Sequence, residues 1–156
     1  MITVAPVNDS PVCSAVVPSV STLWPPNHRL EPVGFSGATD VDGDVLTYTV
    51  TSIFQDEPTN TQGDGNTAID GFGVGTAQAL VRAERVGVPQ APGDGRVYHI
   101  GVRVTDGSGA SCTSELLVGV PHDQSPQRST PVDGGALYDS TVPNPPISGA
   151  TSRGRR

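Results

Sequence analysis

The chain has 156 residues, 35% of them hydrophobic, which suits one domain with a modest core and short tails. A formal net charge of -7, with only nine Lys and Arg, removes the basic footprint that nucleic-acid binding requires and leaves a surface suited to cations. No run of about 18 apolar residues is present to span a membrane, and nineteen Gly and fifteen Pro favour short strands joined by turns over helices.

Residues 1–11, "MITVAPVNDSP", show neither the charged nor the apolar region of a signal peptide. Ile2, Thr3 and Val4 read as the end of a preceding strand running into an interdomain linker that carries Asn8 and Asp9. Alternating polarity then predicts strands at 12–17 and, after a Pro break, at 19–23. Trp24, the single tryptophan, precedes Pro25 and Pro26. It is expected to plug the end of the core, or alternatively to stack on a glycan or protein partner.

A third strand is predicted at 30–36, followed by "TDVDGD". Asp40, Asp42 and Asp44 crowd three carboxylates into five positions around Gly43. Calcium takes about six to eight oxygen ligands, and a sharp Gly turn is the usual way for a short loop to supply several. Without a cation the three would repel and raise one another's pKa. The plainer alternative is a hairpin turn, for which Asp-Gly is itself a strong signal.

The strand at 45–54 places Leu46, Tyr48, Val50 and Phe54 on one face, expected buried, and Thr47, Thr49 and Thr51 on the other. A loop of about twenty residues follows, long enough inside a compact domain to imply a function or an ordering ligand. It carries Asp56, Glu57, Asp64, Asn66 and Asp70. The last three partly match the start of a calcium loop but lack its Gly and closing Glu, so a second ion is expected here, with a solvated acidic loop as the alternative. Residues 77–85 form the next strand, where Arg82, Glu84 and Arg85 suggest an ion-pair ladder on a sheet face.

The clearest strand is 96–105, with Tyr98, Ile100, Val102 and Val104 inward and His99 and Arg103 outward. An Asp106 to Gly109 turn leads to the last strand, 110–120, with Cys112, Leu116, Val118 and Val120 on one side. Cys13 and Cys112 fit no zinc spacing. They are expected to form one disulfide joining the first strand to the last, worth about 2–4 kcal/mol and implying an oxidising compartment, unless both are buried thiols. From 124 to 156 the chain is rich in Pro, Ser and Gly and reads as an extended tail, pinned by this domain or by a neighbouring subunit if it is ordered.

About seven strands with Gly-rich turns predict an all-β, two-sheet sandwich of immunoglobulin type over 12–123. Counting alternate ends puts Asp40 to Asp44 beside the linker carrying Asp9. The same count puts Trp24, the 55–75 loop and Asp106 together at the far end. No nucleophile motif, such as Gly-x-Ser-x-Gly, or cysteine with a base partner is present, so ligation rather than turnover is the expected chemistry.

"PVND", "DVDGDVLTYTV" and "VRVTDGSGAS" resemble the cadherin-like and immunoglobulin-like repeats of bacterial secreted and surface proteins. "LWPPNHRLEPV", "DEPTN", "GDGNTAID", "VRAER", "GRVYHI" and "VPHDQ" are similar to a module of long bacterial extracellular proteins. The resemblance spans residues 6 to about 124. It implies a calcium-rigidified sandwich, used in tandem as an adhesive or spacer module at the cell surface, with Asp9 joining the Asp40 to Asp44 loop in ligating calcium. No "DxNDN" linker follows, so the resemblance does not extend to interdomain calcium at the C-terminal end. Two other readings remain. One is a subunit of an extracellular filament whose tail docks on an identical neighbour. The other is an accessory glycan-binding domain of a secreted hydrolase.

Overall fold

In the computed structural model, which describes residues 2–60, 67, 69–87 and 93–143, alternating β-branched and polar residues build strands throughout and no helix forms among those residues. The strands are β1 (Val17–Pro18), β2 (Leu30–Val33), β3 (Phe35–Ser36), β4 (Thr47–Gln55), β5 (Gly71–Phe72), β6 (Ala79–Arg82), β7 (Arg96–Thr105), β8 (Ser111–Val120) and β9 (Tyr138–Asp139). They form three antiparallel sheets, ordered β1-β3, β2-β6-β5 and β8-β7-β4-β9. One core draws on the two larger sheets: Val33, Ala79 and Val81 from one, and Val50, Ile53, Tyr98, Ile100, Val102, Val104, Val118 and Val120 from the other. This is consistent with a β-sandwich.

The strands at 96–105 and 110–120 match expectation almost residue for residue, because their inward positions are unbroken Val, Ile, Leu and Tyr. The N-terminal strands are shorter than expected. Residues 12–17 give a bridge at Val12↔Thr39 and then only β1, and the 30–36 run is interrupted at Gly34. Residues 19–23 contribute a parallel bridge, Thr22↔Gly119, at the edge of β8.

One inserted residue changes the face of β4. The register slips between Val50 and Ser52, so Ile53 and Gln55 turn inward and Phe54, expected inside, is only half-buried. Gly101 makes this possible on the partner strand, since a Cβ there would meet the side chains of Thr51 and Ser52.

Cys13 and Cys112 are joined in a disulfide with a Cα–Cα distance of 5.8 Å. It ties the N-terminal segment to β8.

The chain from 124 to 143 lies on its own domain, beyond the boundary drawn at 123. β9 pairs with the end of β4, Phe54↔Asp139 and Gln55↔Tyr138. Ser140, fully buried, then wedges between sheets: its N–H donates to Ile53 O, and its carbonyl accepts from Asp70 N and Gly71 N, each bond 2.9 Å. Gly71 admits no larger residue, because a Cβ would stand 2.9 Å from both Ile53 Cγ2 and Ser140 Cβ.

Since the disulfide closes a loop with a sequence separation of 99, replacing both cysteines by serine should lower unfolding free energy by about 2–4 kcal/mol, read from urea titrations of the two proteins.

Candidate functional site

The antiparallel register Thr47↔Thr105 brings the start of β4 to the end of β7, and so joins the Asp40 to Asp44 turn to Asp106. Asp40, Asp44 and Asp106 each present a carboxylate oxygen within 4.8 Å of the other two. Asp106 was expected at the opposite end. β5 adds a traverse of the sandwich inside the 55–75 loop, which reverses the direction of every later strand.

Asp106 is 6% exposed. Its Oδ1 accepts from the backbone N–H groups of Ser108 and Ala110, both at 2.9 Å, and its Oδ2 accepts from Asn8 Nδ2 at 2.8 Å. The Asn8 hydrogen bond, aided by these backbone donors, holds its pKa below the usual carboxylate value. Asp44 moves the other way, raised by desolvation and by the charges of Asp40, Asp106 and Asp42. Asp40 Oδ1 accepts from Asp42 N at 2.8 Å, while its Oδ2 is enclosed without a hydrogen-bond partner. Gly43, at φ 77, closes the turn by donating to Asp40 O. Asp42 Oδ2 accepts from Asp9 N at 2.7 Å, tying the N-terminal segment to the turn. The set is all oxygen and partly exposed, a donor chemistry that suits a hard divalent cation such as calcium.

The far end is built differently. Arg96, fully buried at the start of β7, pairs through Nε with Glu57 Oε2 at 3.0 Å. Its Nη1 meets Asp70 Oδ2 at 2.8 Å and Glu84 Oε1 at 3.5 Å, and it also donates to Tyr98 Oη at 3.2 Å. Gln55, turned inward by the bulge, donates to Asp70 Oδ2 and to Glu57 O, each at 2.9 Å. Glu57 and Asp70, expected to ligate a second ion, therefore have a guanidinium between them. Glu84 belongs to the same buried group instead of an exposed ladder, with His28 Nδ1 at 3.0 Å and the Thr67 hydroxyl at 2.6 Å on its other oxygen.

Burial pushes the Asp70 carboxyl up to about 7 against the pull of Arg96, with Glu84 adding to the rise. Glu57 is raised by the same desolvation. Asp70 Oδ1 and Glu84 Oε1 are enclosed without hydrogen-bond partners, and a proton on Asp70 would give its carboxyl a donor. Arg82 donates to the carbonyls of His28 and Ile69, at 2.9 and 3.1 Å, and so clamps the two non-glycine residues with positive φ among the described residues, both at 65°.

The remaining expected residues fall elsewhere. Asp56 accepts from Val97 N at 2.8 Å and from Gly134 N at 3.0 Å, holding the C-terminal segment rather than a loop ion. Asp64 and Asn66 lie outside the described residues. Trp24 is 44% exposed and does not plug the core; Leu23, 4% exposed, does. The indole borders an open depression with Val20, Pro25, Pro32 and Glu31. Arg96 and Ser140 were not anticipated. The only sequence signal for Arg96 is the excess of acids between 56 and 84, which a buried cation would have to answer.

Compared with known proteins, the chain matches no family model, no curated protein and no solved structure.

The pH dependence of stability follows from the buried acids. A carboxyl whose folded pKa is raised binds its proton more tightly when folded, so Asp70 contributes most below its ordinary value of 3.8 and loses that contribution as pH rises through about 7. Glu57 and Asp56 act in the same direction. The melting temperature should therefore fall between pH 5 and pH 8, and Asp70→Asn, which cannot ionise, should make that slope shallower in thermal scans across the range.

Proposed function

We propose that this chain is a calcium-binding structural or adhesive module of an extracellular or cell-surface protein, working by ligation and not by catalysis. The observation that carries the reading is the meeting of Asp40, Asp44 and Asp106, with the enclosed and unpartnered Asp40 Oδ2 among them. Asp42, Asp9 and Asn8 stand at the same end, so an ion held there would stiffen the attachment of the N-terminal segment as well as the turn. Binding to the folded state alone makes affinity appear as stability. The disulfide agrees with an oxidising compartment. No helix among the described residues is long and apolar enough to cross a membrane.

Millimolar calcium should raise the melting temperature above that in chelator, with magnesium giving a smaller shift. Asp44→Asn offers the sharper test, because its effect should change sign. In chelator, removing one of four mutually repelling charges should leave stability equal or slightly higher. In calcium, the same substitution should abolish most of the shift.

A glycan-binding reading draws support from the exposed Trp24, flanked by prolines and the Glu31 carboxylate. Trp24→Ala should then abolish retention on immobilised polysaccharide while leaving the melting temperature within a few degrees of the parent.

A further inference from the structure

His99 holds a position that its strand alone does not explain. It lies on the face of β7 opposite the core, in register with Phe54 of β4 and Leu117 of β8. Its Nδ1 is 2.9 Å from Glu115 Oε1 and its Nε2 is 2.7 Å from Asp133 Oδ1. An ionised carboxylate only accepts, and a neutral imidazole has a single N–H, so both contacts are satisfied together only by the imidazolium. The side chain is 9% exposed, which strengthens both bonds and the penalty for losing either.

Asp133 belongs to a segment whose side chains are seated mainly at its two ends, Pro131 against Gly95 and Gly119 and Ser140 between the sheets. Val132 and Leu137 are 61% and 62% exposed. The segment is attached by Gly134 N to Asp56, Leu137 N to Gln55 O, Ser140 N to Ile53 O, and the acceptance by Ser140 O of two buried N–H groups. With Val132 N to Asp94 O, these are backbone hydrogen bonds except for the Asp56 carboxylate that accepts from Gly134, and His99 with Asp133 is the contact among them that combines opposite charges.

We propose that the segment from Pro131 to Thr141 is a pH-sensitive strap, held closed by an imidazolium at His99 that bridges Glu115 of β8 to Asp133 of the strap. The groups facing the ring are Glu115 from β8 and Asp133 from the strap, with Asp56 behind Gly134 and the apolar Phe54 and Leu117 on either side. Every charged group in that set is acidic. Once the ring is neutral it can donate to only one of the two carboxylates, Asp133 keeps only the Gly135 N–H at 2.8 Å, and no cation in that set offsets the repulsion between strap and sheet.

Desolvation works against the proton on His99, but the hydrogen bonds it donates to Glu115 and Asp133 outweigh it and raise the pKa above 6.5. A histidine with a raised folded pKa contributes stability that is complete below its unfolded value and is lost as pH rises through the folded one. The strap is therefore shut at mildly acidic pH and loosens on the alkaline side. Its opening uncovers the Ile53 and Gln55 carbonyls at the edge of the four-stranded sheet, together with the Asp70 and Gly71 N–H groups.

The test is amide hydrogen exchange on the full chain between pH 5.5 and pH 9, expressed as protection factors so that the intrinsic pH dependence cancels. Leu137 and Ser140 report the strap, and Val102 reports the core. Protection at the two strap amides should fall by about tenfold for each unit by which the His99 pKa is raised, and Val102, more protected throughout, should fall at least as far because global unfolding also opens the strap and releases Asp70. Asp133→Asn keeps an oxygen for Nε2 and removes the charge, so it should lower strap protection at pH 5.5 and flatten its pH dependence. Glu115→Gln should act in the same direction, and the imidazole of His99 should titrate above 6.5 by NMR. Equal protection across the range, or a His99 titration below 6.5, would overturn the proposal. So would an undiminished decline in Asp133→Asn, which would assign the effect to Asp70.

Discussion

A single buried guanidinium sets the constraint on which this fold depends. Arg96 is out of contact with water, and a buried charge is tolerated only when paired and hydrogen-bonded. Its partners come from four places: Glu57 after β4, Asp70 before β5, Glu84 after β6 and Tyr98 on β7 itself. Meeting that requirement draws the long 55–75 connection back across the molecule and seats β5 beside β6. Removing any one carboxylate would upset a balance in which one guanidinium already serves three acids.

The two ends of the molecule thus face opposite electrostatic situations with similar residue types. At one end, Arg96 and Arg82 answer Glu57, Asp70 and Glu84, and the raised Asp70 carboxyl relieves what charge remains. At the other, Asp40, Asp44 and Asp106 have an Asn8 amide and backbone N–H groups for company, and Asp44 is raised partly by its acidic neighbours. Neutral donors soften such repulsion without cancelling it. An external cation is therefore worth more at the Asp40 end, which is why the ligation reading rests there and not on the longer acidic loop.

Where strands were legible and where they were not follows from how far each signal reaches along the chain. Tyr98, Ile100, Val102 and Val104 declare β7 through local alternation, and the same holds for β8. In β4 the alternation is sound only as far as Val50, because the bulge that turns Ile53 and Gln55 inward leaves no mark in hydrophobicity. β5 and β9 are two residues each, too short for any period, and both exist because a neighbouring edge has backbone groups to satisfy. Missing β5 also misplaced Asp106, since one uncounted traverse inverts every loop after it. The candidate site was thus read as a turn with its linker, and its third carboxylate came from topology.

Composition, charge and local period determined the class of this protein: all-β, acidic, with an Asp-rich turn and two cysteines toward the two ends of the core sequence. Those properties are sums over residues or patterns within a few positions, and they survive without knowledge of which strand pairs with which. Which carboxylates face a cation and which face a guanidinium was decided only in the tertiary structure. So were the meeting of His99 with Asp133 and the seating of Ser140 between the sheets. Each of these joins residues far apart in the chain, and the physics that selects them is the requirement that buried charges and backbone polar groups find partners in space.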